Sequence, residues 1–302
     1  MSYVNPPSAA EQLTFASEGT PCAAWWTSPT TPAPWPALVL VHGLGATHEM
    51  ALPYYERAFS AAGIAVLSFD YRHLGESGGV PRNLITVRGQ LADVAAALAY
   101  VRSRPDVDCA RVGLWGTSFG AAHVFSTAAR DCDLAAAVVQ CPIIDGLSAA
   151  RALGLRAGLG LTGPVARDLL ARLLRRPRPT MPIVGQPGQK AFVTVPGAEE
   201  GWRSLMPESY TFGNAMMASL ALTLPRYRPA RLARQIACPL LVTVSQRETL
   251  MDPAVAVRAA ADAPNGQALL ADADHFEVYH SPLVEHLVAE QIAFLRTHLL
   301  AS

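Results

Sequence analysis

The sequence predicts an α/β chain: a mostly parallel central sheet with helices on both faces, interrupted late by a helical insertion. Three observations lead there. Short, continuous apolar runs recur at strand length, as strands buried on both faces require. Longer helix-like segments alternate with them over short connections. The alternation lapses between about Asp145 and Ile236 and then resumes. Composition agrees: of 302 residues 51% are hydrophobic and 16% charged, which excludes a disordered chain.

Residues 12–15 and 22–26 read as an antiparallel edge hairpin, with Trp25 and Trp26 on opposite faces. The apolar runs at 37–41 (ALVLV), 64–69 (IAVLSF), 111–115 (RVGLW), 134–140 (LAAAVVQ), 239–244 (PLLVTV) and 267–270 are the expected strands. Helical patterns fill 49–62, 84–102, 118–130, 253–263 and 282–300. Residues 1–145 and 237–302 then make the core, and 146–236 a cap over one end. Inside the cap, 164–176 is helix-like, with Pro164 in the first turn and Val165, Leu169, Leu170, Leu173 and Leu174 as its apolar stripe.

Twenty-four Lys+Arg balance twenty-four Asp+Glu, which argues against a nucleic-acid partner. No apolar run reaches the roughly 18 residues of a membrane span, and the polar start of the chain has no leader pattern. Five scattered cysteines lack CxxC spacing, so neither zinc nor a redox dithiol is expected and a cytoplasmic setting is. Self-association into a homo-oligomer is left open.

Gly116-Thr117-Ser118-Phe119-Gly120 follows the run RVGLW and opens a helix. Such a strand-to-helix turn needs small flanking residues and holds the serine oxygen out at the C-terminal sheet edge. His42-Gly43-Leu44-Gly45 ends the strand ALVLV, and a glycine-rich turn there aims backbone N–H groups at a developing oxyanion; the amides of Leu44 and Phe119 are the expected donors. His42 is read as ordering that loop, and Asp70-Tyr71-Arg72 with Gly75, Ser77 and Gly78 as a hydrogen-bonded turn.

A serine needs a base. His275 is best placed, between the last strand and the last helix, with His280 as fallback; His123, His286 and His298 fall in helices. For the orienting carboxylate, Glu248 is favoured. Asp252 is the alternative, although before Pro253 it fits a helix N-cap, and Asp145 is a third candidate. Trp202, Met206, Tyr210, Phe212, Met216 and Met217 form either an apolar substrate pocket or a satellite core. The run Arg172, Arg175, Arg176, Arg178 is a solvated face or a clamp for an anionic substrate. Gly158-x-Gly160-x-x-Gly163 matches a dinucleotide fingerprint, but no strand precedes it.

The pieces LVHGLG, FDYRHLGESGG, GLWGTSFGA, SQRETLMDP and ADHF together resemble the α/β-hydrolase superfamily, closest to capped serine esterases and the dienelactone-hydrolase or acyl-peptidase-like branches. The resemblance covers about 37–145 and 239–300, but not the cap. It implies the α/β-hydrolase fold, Ser118 as nucleophile, His275 as base and Leu44 and Phe119 as oxyanion amides. It places the acid at Glu248, where most relatives have aspartate. A serine at the elbow sets the chain apart from haloalkane dehalogenases and epoxide hydrolases. The expected activity is hydrolysis of a small-molecule carboxylic ester through an acyl-enzyme, without metal or cofactor. Alternatives are an amide, thioester, lactone or C–C bond, acyl transfer, or a non-catalytic binding module on the same fold.

Overall fold

The structure is a computed structural model that describes residues 10–300 apart from Ser209 and Phe212. Strands β1 (Glu11–Ser17) and β2 (Thr20–Thr27) form the antiparallel edge hairpin. Then come β3 (Trp35–Val41), α1 (Leu52–Ala61), β4 (Ala65–Phe69), α2 (Val87–Ser103), β5 (Val107–Thr117), α3 (Phe119–Ala128) and β6 (Ala136–Gln140). The insertion follows with helices α4 (Gly146–Leu153), α5 (Leu155–Gly160), α6 (Thr162–Leu173), α7 (Ala198–Ser204) and α8 (Leu220–Thr223). It also holds a two-residue antiparallel pair, β7 (Thr180–Met181) and β8 (Met216–Met217). The chain closes with β9 (Leu240–Ser245), α9 (Pro253–Asp262), β10 (Gly266–Ala271) and α10 (Leu283–Leu295).

The main sheet has the order β1-β2-β4-β3-β5-β6-β9-β10. From β4 to β10 every pairing is parallel. The run ALVLV shows why a continuous apolar strand is required. Leu38 and Leu40 pack on one face with Tyr55 and Phe59 of α1 and Leu295 of α10. Val39 and Val41 pack on the other with Val94 and Leu98 of α2 and Phe125 of α3. Side chains alternate with period two, so burial on both faces leaves no place for a polar residue. The expected split of Trp25 and Trp26 takes a concrete form: Trp25 stacks on His48 at 3.8 Å, while Trp26 lies under the Arg104 guanidinium at 4.2 Å.

Two helix starts and the buried face of a third helix differ from the sequence reading. Helix α1 starts at Leu52 rather than residue 49, because Met50 closes a turn onto the Thr47 carbonyl and Ala51 sits at φ 69°. Helix α2 starts at Val87, because the Thr86 side chain accepts from Gly89 N–H and caps it. Helix α6 buries only Val165 of the expected stripe. Its inward residues are Leu161, Val165 and Asp168, one per turn, and the Asp168 carboxylate is taken up by Arg178 at 2.6 Å and the Ser219 amide. Leu169, Leu170, Leu173 and Leu174 are left facing solvent. The leucine spacing was helical, but the chain turned the helix to bury the salt bridge side. The insertion as a whole shares the large cluster on the α2, α3 and α9 face of the sheet through Leu161, Val165, Phe192 and Trp202. Among the described residues no helix is long and apolar enough to cross a membrane.

A buried polar chain crosses the opposite face. The Trp115 indole donates to Gln291 Oε1 at 2.9 Å, Gln291 Nε2 donates to Gln140 Oε1 at 2.9 Å, and Gln140 Nε2 donates to Tyr55 Oη at 2.7 Å. Every link is satisfied, so removing the centre leaves two buried groups unpaired. Gln291→Leu is expected to lower the free energy of unfolding by about 2–4 kcal/mol. Urea denaturation with an unchanged midpoint would refute this.

Candidate active site

Strand β5 ends at Thr117 and α3 starts at Phe119, leaving Ser118 between them at φ 54°, ψ −123°. A non-glycine residue holds such a conformation only where its surroundings enforce it. They do so here: Ser118 N–H donates to the Gln140 carbonyl of β6 at 3.0 Å, and the Ser118 carbonyl accepts from Ile143 N–H at 3.0 Å. Close packing explains the glycines. A Cβ on Gly120 would lie 2.2 Å from the Val41 carbonyl oxygen, and one on Gly43 would lie 3.0 Å from Ser118 Cβ. The start of α3 can therefore seat against the end of β3, and the His42–Gly45 turn can pass beside the serine.

Parallel pairing puts the C-terminal ends of β5, β9 and β10 on one edge, so the loops that follow them meet. Ser118 Oγ lies 3.0 Å from His275 Nε2, and His275 Nδ1 lies 2.6 Å from Glu248 Oε2. A carboxylate only accepts, so Nδ1 carries the proton and donates to Glu248. That leaves the Nε2 lone pair to accept from the serine hydroxyl. The other Glu248 oxygen accepts from the amides of Thr249 at 2.9 Å and Leu250 at 2.8 Å, which fixes the carboxylate. The side chains of His275 and Glu248 are both 3% exposed. The two loops are tied together outside the site. Arg247 N–H donates to the Ala273 carbonyl, and the Arg247 guanidinium bridges Asp272 and Glu277. Asp274 accepts from the amides of Phe276 and Glu277 and shapes the turn that carries His275.

The other acid candidates are engaged elsewhere. Asp252 accepts from Ala254 N–H at 2.9 Å and caps α9. Asp145 caps α4 and pairs with Arg228 at 2.8 Å; despite its burial, Arg228 and two backbone amides hold its carboxyl below the usual range. His280 contacts Ser204 at 2.8 Å. His42 Nδ1 donates to the Gly43 carbonyl at 3.1 Å and so orders the glycine turn. Asp70 has a similar duty, accepting from the amides of His48 and Glu76. Among the described residues no hydrogen bond uses the N–H of Leu44 or of Phe119. Cys141 lies behind the serine strand, but burial pushes its thiol up to about 12, so it stays protonated.

The cavity at Ser118 is small, about 30 Å³, and is walled by Leu44, Met50, Trp202, Leu205, Phe276 and Tyr279. Among the described residues expected to line an apolar pocket, only Trp202 reaches it. Met206 packs at the edge of the core. Tyr210 donates to or accepts from Thr47 Oγ1 at 2.6 Å and lines a separate, more polar pocket of about 330 Å³ with His48 and Asp70. Met216 is fully buried opposite Met181, and Met217 pairs its amide with the Asn83 carbonyl. Phe212 lies outside the described residues. No sequence period shows which face of the insertion meets the sheet: Met206, Met216 and Met217 serve packing, and Tyr210 lines the separate pocket. The sequence reading overlooked Phe276 and Tyr279, although both follow His275 closely in the chain. Gly158, Gly160 and Gly163 sit in α5 and α6 with open space beside each, and no strand leads into them.

With this geometry in view, comparison with known proteins gives a consistent answer. Residues 38–290 match the model of the alpha/beta hydrolase family. The chain belongs to the alpha/beta hydrolase family. It is 37% identical over 295 residues to the quorum-quenching protein AidA of Acinetobacter baumannii, covering 98% of this chain and 97% of that one. A thiohydrolase of Aspergillus aculeatus, aneE, is 36% identical over 110 residues, 36% of this chain and 35% of the relative. Among solved structures, the alpha/beta hydrolase GrgF of a Penicillium species superposes with a TM-score of 0.84 at 20% identity, over 97% of this chain and 100% of that one. Membership in the alpha/beta hydrolase family, with relatives so named, supports hydrolase activity for this chain.

One buried group near the site carries a pH consequence. His123 is enclosed by Tyr227 at 2.9 Å and Gln90 at 3.0 Å, and burial, assisted by repulsion from His42, lowers its pKa to about 3. The unfolded chain takes up this proton near the ordinary value of about 6.5. The stabilising contribution is therefore complete above that value and is lost as pH falls from it toward about 3. His42 and His73, also lowered chiefly by burial, act in the same sense. Between pH ~6 and ~5 the unfolding free energy of the native chain should fall with pH, and His123→Gln should reduce that slope by about one proton. Equal slopes for the two proteins would show that His123 is not the group responsible.

Proposed function

We propose that this chain hydrolyses carboxylic esters through an acyl-enzyme at Ser118. The observation that carries the reading is the hydrogen-bonded sequence Ser118 Oγ, His275 Nε2, His275 Nδ1, Glu248 Oε2, at 3.0 and 2.6 Å, on three loops of one sheet edge. His275 takes the hydroxyl proton as Ser118 Oγ bonds to the carbonyl carbon. The oxyanion that forms is met by the free amides of Leu44 and Phe119, the latter at the positive end of α3. Collapse breaks the bond to the alkoxide, which leaves with the proton from His275. Water then gives its proton to His275, attacks the acyl carbon and releases the acid, restoring the serine. Glu248 stays ionised, holding the imidazole in the tautomer that can accept and stabilising its charged form. The insertion acts as a cap, with Trp202 and Leu205 of α7 and its end forming the roof over the serine. Trp202 is buried, and its indole N–H has no partner among the described residues, so it is available to a polar atom of the substrate.

A lactone is an ester whose leaving oxygen stays tethered, and the same steps open it; the similarity to a quorum-quenching protein favours signalling molecules with such an acyl bond. A second reading, a thioester, is favoured by the relatives named thiohydrolases, which align over about a third of the chain.

A fluorophosphonate should label the folded protein at Ser118 and nowhere else, as read by peptide mass, and Ser118→Ala should remove both the label and turnover, a loss of about 10⁶-fold in kcat. An unlabelled folded protein would instead indicate a binding module. On an ester substrate Glu248→Gln should lower kcat by about 10³–10⁴-fold, while Asp252→Asn, which keeps an N-cap acceptor, should leave stability nearly unchanged and change kcat less than about tenfold. Comparable losses in kcat would remove Glu248 from its assigned role. A matched panel of oxygen esters, lactones and thioesters of one acyl chain, compared by kcat/KM, decides between the two readings. Trp202→Phe keeps the roof but removes the donor, and should raise KM by about fivefold or more; an unchanged KM would mean that its N–H does not face the substrate.

A further inference from the structure

The insertion carries an exposed surface that the chemistry at Ser118 does not use. Residues 146–178 contain seven arginines and one carboxylate, in a chain whose total charge is zero. That carboxylate, Asp168, is buried against Arg178. The other six, Arg151, Arg156, Arg167, Arg172, Arg175 and Arg176, are exposed and form no ion pair among the described residues. Beside them stand leucines that the fold leaves in water. Leu155 is 81% and Leu173 78% exposed, with Leu159, Leu169, Leu170 and Leu174 also open. On α6, at 100° per residue, Leu169, Leu170 and Leu173 share one outward face, and Arg167 and Arg172 flank it on either side. Leu155 and Leu159 repeat the arrangement on α5 at i, i+4, with Arg156 between them. The apolar surface continues inward as a groove of about 390 Å³ between α4, α6 and α8, where Leu161, Val165 and Phe192 form the floor.

We propose that the α5–α6 face docks on an anionic lipid bilayer, with the leucines entering the acyl boundary and the arginines reaching the phosphates. Helices that lie in a membrane interface have this pattern: leucines on one side, cations on the flanks whose aliphatic stems stay in the apolar zone while the charge remains outside. Arginine suits phosphate because its planar fork donates twice to one group. Charge selects among occupants. A second copy meeting the same face would set six arginines against six. A folded protein partner is less suited, because residues 146–176 contain no aromatic side chain to anchor an interface. Neither feature depends on which acyl bond Ser118 attacks.

Sedimentation of the full-length protein with vesicles tests this, at about 0.1 M salt. Vesicles of equal parts phosphatidylcholine and phosphatidylglycerol should bind the protein at least about tenfold more tightly than pure phosphatidylcholine. Leu155→Glu with Leu173→Glu, and separately Arg167→Glu with Arg172→Glu, should each reduce binding by about tenfold or more. Both pairs lie at exposed positions, and an unchanged circular dichroism spectrum and unchanged turnover of a soluble substrate would show that the fold and the serine site are intact. No binding to the anionic vesicles, equal binding to both kinds, or binding that neither variant pair weakens would each overturn the proposal. So would a wild-type dimer that Leu173→Glu dissociates, or capture of an acidic protein by a chain that ignores vesicles.

Discussion

The backbone of Ser118 is the constraint on which the rest of the site depends. Its positive φ is costly for a residue with a side chain, and two strands share in enforcing it. Strand β6 supplies the carbonyl that accepts its amide, the segment after β6 donates to its own carbonyl, and the end of β3 presses against Gly120. The hydroxyl is thereby held where α3 begins, beside the free amide of Phe119. The same junction favours glycine at position 43, where a Cβ would crowd Ser118 Cβ at 3.0 Å.

From that fixed point the geometry follows from sheet order. Strands β5, β6, β9 and β10 are neighbours and all run in one direction, so the serine, the carboxylate and the imidazole emerge at one edge although 130 and more residues separate the first from the others in the chain. Loop structure does the rest. The amides after Glu248 hold its carboxylate, Asp274 shapes the turn before His275, and Arg247 fastens the two loops to each other. Trp202 and Leu205 of the insertion line the cavity at Ser118, while the insertion's outer surface, rich in arginine and leucine, is exposed.

Much of this was legible in the residues and some was not, for physical reasons. The strands buried on both faces announce themselves as unbroken apolar runs, and a glycine-flanked serine directly after such a run has few other structural meanings. Glu248 and Asp252 both leave the sheet at the same edge, and only coordinates separate them: Asp252 is drawn to the exposed amides at the start of α9, whereas Glu248 turns back under His275. The insertion was harder. Leucines on α6 have the spacing of a core-facing stripe, but a spacing does not say which side of a helix the fold will cover, and here the Asp168–Arg178 pair took the inner side. Met216 and Tyr210 were equally ambiguous, since apolar and aromatic residues serve packing and ligand contact alike, and both were claimed by neighbours other than the serine.

The tightness of the space above Ser118 has a kinetic consequence. The space for solvent at Ser118 is only about 30 Å³, so an acyl group has little room beside Trp202, Leu205 and Phe276 where they stand. A bulky acyl group would need α7 to part briefly from the loop that bears His275. The fraction of molecules so parted multiplies the intrinsic affinity for anything that binds there. Loosening the contact between the Trp202 and Phe276 rings, 6.0 Å apart, would trade enclosure of the serine for ease of entry.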